Sequence, residues 1–109
     1  GCQGDGEANI NGIEMGLDGT FEMIVRKDMS LKVPRAETPT HYILGGFDPI
    51  LDNAAKMALR ETIQFLGELR GMSPEDAYSL CSMGVDLHVT QIVNGYKGIH
   101  AMVPKSLFD

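Results

Sequence analysis

The densest group of chemistry-bearing residues is the run Gln3-Gly4-Asp5-Gly6-Glu7. Two carboxylates lie two residues apart, with a glycine between them and another before. In extended backbone, residues i and i+2 share a face, so Asp5 and Glu7 are expected to converge on one ion or one water. The glycines let a substrate or an ion approach the main chain closely. Such a pair suits hydrolysis. One carboxylate ligates a divalent ion that polarises a carbonyl, and the other takes the proton of attacking water. The competing reading of the same residues is a glycine-rich acidic terminus that frays into solvent.

Other candidates carry less. His41, His88 and His100 form no HxxxH or HExxH pair, so local spacing offers no metal-ligand set. Read locally, His100, on a strand beside Ile99 and Ala101, is a structural or surface histidine. Cys2 and Cys81 lack CxxC spacing and read as two reduced thiols of a cytoplasmic protein. Neither GxSxG nor SxxK occurs, so no nucleophile motif is present. Glu7, Asn9, Asn11, Gly12 and Asp18 match positions of a calcium loop. That template begins with Asp, ends with Glu and needs flanking helices, whereas both flanks here read as strand, so the match is coincidental.

The elements that must position these groups follow from hydrophobic period. Phe21, Met23 and Val25 alternate with Glu22, Ile24 and Arg26, and Asp18-Gly19 is a hairpin-turn pair, so a β-hairpin is expected over 7–28. Pro34 and Pro39 confine 30–39 to a loop or a sheet edge. His41–Phe47 reads as a short strand. Leu51, Ala55, Ala58, Leu59, Ile63, Leu66 and Leu69 make one helical stripe between Asp48-Pro49 and Gly71. Ser73 and Pro74 open a second helix that ends at Gly84. Val85–Val93 alternates again, Asn94-Gly95 is the preferred two-residue turn, and 98–103 returns. The sum is α+β: two β-hairpins with a central helical hairpin, in a single domain over 1–109.

Composition narrows the partners. The net charge is −6 and no Lys/Arg cluster exists, so nucleic acid and anionic membrane surfaces are not the expected partners. No apolar run nears the roughly 18 residues that span a bilayer. The first residues have neither a basic n-region nor an apolar h-region, so no signal peptide is expected.

Taken in order, these segments resemble the C-terminal third of the acetamidase/formamidase family. Gln3–Glu7 resembles its QGDGE signature, and Pro34–Pro39 followed by His41-Tyr42-Ile43 is similar to its PRAETP-HYI stretch. Asp76–Ser82 leading into Val85-Asp86-Leu87 resembles it too, as do Gln91–Asn94 and Lys97–Lys105. The resemblance implies the C-terminal domain of a larger, mostly-β hydrolase that cleaves the C–N bond of small linear amides. Formamide and acetamide would yield a carboxylate and ammonia. It further implies a divalent metal, zinc or else calcium, with Asp5 as a ligand. Glu7 would be the general base that later protonates the leaving ammonia. Gln3, Gly4, Gly6 and His100 would surround the substrate. Expected partners are the amide, further copies of the chain and the missing N-terminal domain, without which the fragment is expected to be inactive. His88 stands where many relatives have arginine, so the resemblance gives it no role. A reading of a different class is a non-catalytic assembly module that packs through the Leu51–Leu69 stripe and its hairpin edges.

Overall fold

The computed structural model describes residues 2–109. Its elements are β1 (Arg35–Glu37), β2 (His41–Asp48), α1 (Leu51–Arg70), α2 (Pro74–Gly84), β3 (Asp86–Gln91) and β4 (Lys97–Pro104), followed by a 3₁₀ turn, Lys105–Phe108. The α+β class is therefore the observed one.

The helical hairpin has the expected punctuation at three of its four ends. Gly71, at φ 66°, closes α1 and donates from its N–H to the Gly67 carbonyl at 2.9 Å. Ser73 caps α2 by accepting from the Asp76 N–H at 3.1 Å, with Pro74 in the first turn. Val85 follows Gly84 in extended backbone. The start of α1 differs from expectation. Ile50, not Asp48, is the N-cap residue, and it makes no side-chain cap bond. Asp48 Oδ1 instead accepts from the Ile50 N–H at 2.8 Å and from Asn53 Nδ2 at 3.2 Å, which ties the strand end to the first helical turn.

The four strands form one antiparallel sheet in the order β1-β2-β4-β3. Alternation gives it two unlike faces. Leu44 pairs with Ala101, Tyr42 with Val103 and Gly46 with Ile99, and these residues face the helices. Leu44, Leu66, Ala77, Cys81, Ala101 and Val103 form the main core beneath α1 and α2. Ala54, Ala58 and Ile99 form a second, smaller cluster. Helix and sheet meet most closely at Gly46, where a Cβ would lie 2.2 Å from the Ala54 carbonyl oxygen. Thr62, wholly buried, satisfies its hydroxyl on the Ala58 carbonyl at 2.8 Å. The opposite face presents Ala36, Ile43, Gly45, Phe47, Gly98, His100, Met102 and His88, and neither helix covers it.

One expected element is absent. Residues 7–28 do not form a β-hairpin, and Asp18-Gly19 does not close a turn. Phe21, Met23 and Val25 are 83%, 91% and 82% exposed. A two-stranded hairpin is marginal in water unless a third strand or a helix covers its apolar side. Among the described residues nothing covers this one. The proline-bounded connector, by contrast, takes the edge position expected of it, as β1 against β2.

Candidate active site

The site grows from the β3–β4 hairpin on the open face. Asn94 (φ 65°) and Gly95 (φ 79°) both adopt the left-handed backbone that a tight hairpin turn needs. Gln91 pairs with Gly98, but further along Val89 pairs with Ile99 and His88 with His100. Thr90 is therefore an extra residue in β3, a β-bulge. Had the Gln91–Gly98 register continued, Val89 would oppose His100, and His88 would point to the helix side. The bulge is what brings the two histidines together. Their ring centroids lie 5.4 Å apart.

The third group arrives from the N-terminal segment, which lies beside β3 in parallel. The Gly6 N–H donates to the Thr90 carbonyl and the Ile92 N–H to the Glu7 carbonyl, both at 3.2 Å. Glu7 and Gln91 form a parallel bridge. Gly6 has φ 86°, so Asp5 and Gly6 make a turn rather than the extended run expected for Asp5 to Glu7. The turn aims Asp5 across the hairpin. Its Oδ2 lies 3.2 Å from His88 Nδ1 and 3.6 Å from His100 Nε2.

Asp5, His88 and His100 each offer one ligand atom, and these atoms lie within 4.8 Å of one another. The His100 side chain is 16% exposed, while those of His88 and Asp5 are 42% and 65% exposed. Thr90 Oγ1 lies 2.7 Å from His100 Nδ1, which fixes the ring and leaves Nε2 toward Asp5. A metal-binding histidine is usually oriented in this way, through its second nitrogen. Two imidazole nitrogens and one carboxylate oxygen form a donor set that suits zinc and leaves a position for a further ligand.

The other expected site residues are placed less centrally. Glu7 is half-buried and lies outside the three-residue cluster, its main chain held by β3. Gln3 lies against Gly12, in a cavity of about 470 Å³ formed by the N-terminal segment. Gly4 is exposed, with open space at its Cβ position. Gly6 supplies the turn. His88 and Thr90 are the members of the cluster that sequence reasoning left without a role. Their only signal was a shared side of one strand. Cys2 is exposed and Cys81 buried, and neither is in a disulfide. Burial pushes the Cys81 thiol pKa up, which makes it inert.

Beside His100 on the same face lies an apolar pocket of about 310 Å³, walled by Pro34, Ala36, Ile43 and Phe47, with Thr90 and His100 also in its lining. The pocket thus shares His100 with the polar cluster, and Thr90, which holds that ring, lines it as well.

No family model and no curated protein matches this sequence. Solved structures do match. An acetamidase from Bacillus halodurans is 33% identical over 70% of this chain, with a TM-score of 0.65. The chain is similar to acetamidases in sequence and fold. A second acetamidase, from Yersinia enterocolitica, is 28% identical over 76% of the chain, with a TM-score of 0.72. The chain spans only about a quarter of either protein, 26% and 25% of their lengths. Among its described residues, no helix is long and apolar enough to cross a membrane.

Proposed function

We propose that this chain is the C-terminal portion of a metal-assisted amide hydrolase acting on the C–N bond of small linear amides. The observation that carries the reading is the convergence of Asp5, from the QGDGE run, with His88 and His100 on the open face. Asp5, His88 and His100 would hold the divalent ion, and their nitrogen and carboxylate donors fit zinc better than the all-oxygen shell calcium prefers. When bound, such an ion polarises a carbonyl and lowers the pKa of water.

The chain's own residues do the rest. Thr90 holds the His100 ring through Nδ1. Glu7, whose main chain is anchored to Gln91 and Ile92, carries a carboxylate with no hydrogen-bond partner among the described residues. It takes the proton from the water that attacks the amide carbonyl and returns it to the departing nitrogen, so ammonia leaves neutral. The rest of the enzyme covers the open face and excludes bulk water. The exposed Phe21, Met23 and Val25 favour packing against that missing portion or against a further copy of the chain.

The test is a chimera in which this sequence replaces the matching quarter of the Yersinia enterocolitica acetamidase. The folded chimera is expected to release ammonia from acetamide with zinc added, while the 109-residue chain alone shows no turnover. Glu7→Gln should lower kcat by about 10²–10⁴-fold with metal retained, and Asp5→Asn should weaken metal retention. A near-normal kcat in the Gln variant removes Glu7 from its role. A folded, zinc-loaded chimera that releases no ammonia sinks the reading as a whole.

A further inference from the structure

We propose that the apolar pocket beside His100 receives the hydrocarbon end of the amide, so that this protein takes acyl chains longer than that of acetamide. The proposal rests on the amide-hydrolase reading for the polar end of the ligand and adds the class of acyl group.

Three observations carry it. First, the pocket is continuous with the polar cluster, because Thr90 and His100 line it and His100 also faces Asp5. An acyl chain that runs from the cluster past the His100 ring would meet Ile43 and Phe47. Second, apart from Thr90, His100 and Arg35, whose guanidinium is turned to Glu61 and Glu68, the walls are hydrocarbon, and a ligand group with polar atoms placed against them would lose its water without gaining partners. Third, the volume is excessive for the smallest amides. Formamide offers the pocket no carbon and acetamide offers one methyl group. At about 30 Å³ per water molecule, roughly 310 Å³ corresponds to about ten waters. Two glycines keep the space open. A Cβ at Gly45 would lie 2.9 Å from Phe47 Cε2, and one at Gly98 would lie 3.0 Å from Phe47 Cε1. The ring thus rests against bare backbone of its own strand at Gly45 and of β4 at Gly98, and side chains there would push it into the cavity.

The experiment is an NMR titration of the 109-residue chain, with zinc added, against acetamide, butanamide and hexanamide, run beside 1-hexanol. Affinity should rise about two- to fourfold per added methylene, the upper figure being that of full burial. The shifts should centre on Phe47, Thr90 and His100. Ala36→Phe, at an exposed position of β1, should flatten the series and leave the melting temperature unchanged. Equal affinity along the series, or an unchanged series in the Ala36 variant, overturns the pocket and leaves the amide reading standing. If 1-hexanol binds as tightly as hexanamide, the pocket is upheld and the amide reading at this site falls.

Discussion

Gly45 and Gly46 are neighbours in β2, yet they sit in different chemical worlds. Gly46 faces α1, where two helices seal Leu44, Ala101 and Val103 away from water. Gly45 faces the uncovered side, beside Phe47 and across from His100. On the first face glycine is needed because a helix backbone presses on it. On the second it leaves room chiefly for a movable ring, with the Pro34 carbonyl oxygen 3.2 Å from where a Cβ would lie. The sheet divides its labour by alternation: one set of residues supplies stability, and the set between them supplies polar groups and a cavity. Chemistry on the open face can therefore change with little cost to the core.

The sharpest way to break this comparison is to add one methyl group on each side. Gly46→Ala would put a Cβ 2.2 Å from the Ala54 oxygen and 2.4 Å from the Ala58 nitrogen, both backbone atoms that cannot step aside. We expect a loss of about 3 kcal/mol or more in urea unfolding. Gly45→Ala meets the Phe47 ring at 2.9 Å and the Pro34 carbonyl oxygen only at 3.2 Å, and should cost about 1 kcal/mol. Equal losses would mean that the two faces are not mechanically distinct.

A smaller effect on stability, but a larger one on chemistry, is expected from the histidines. His88→Ala and His100→Ala should each change the metal-free unfolding free energy by less than about 1 kcal/mol. Each should also abolish a zinc-dependent rise in melting temperature. If either variant unfolds the chain, the open face belongs to the stabilising machinery after all.

The smallest effect is one of pH. Burial raises the Cys81 thiol pKa, so its folded value lies above its unfolded value. Stability from the neutral thiol is complete below the unfolded pKa and is lost as pH rises through the folded one. The stability of the parent chain should thus decline as pH rises into the alkaline range. Cys81→Ala should flatten that decline. A decline of the same size in the Ala variant would assign it to another group.

The helix-covered half of this architecture was legible in the sequence. Its stripe, its Ser73 cap, its Gly71 terminator and the Asn94-Gly95 turn are all local signals, and local signals survive whatever the rest of the chain does. The apolar alternation at Phe21, Met23 and Val25 was just as clear, but a strand pattern states only that a partner is wanted, not that one is present. The candidate site was half legible. Asp5 stood out by its glycines and by Glu7, yet its partners depended on two events with no local signature. One is the docking of residues 5–7 on β3. The other is the extra residue at Thr90, which decides whether His88 and His100 share a face at all.

That extra residue gives β3 the logic of a reading frame. Side chains on a strand are read in twos, and Thr90 is a single inserted letter that shifts everything before it. Deleting it would turn His88 toward the helices and bring residues from the core side out to the open one. No ligand residue need be substituted for the cluster to vanish. In a lineage, such a cluster can thus be gained or lost by one codon's insertion or removal, in a single step. Point substitution would have to reach the same arrangement one side chain at a time.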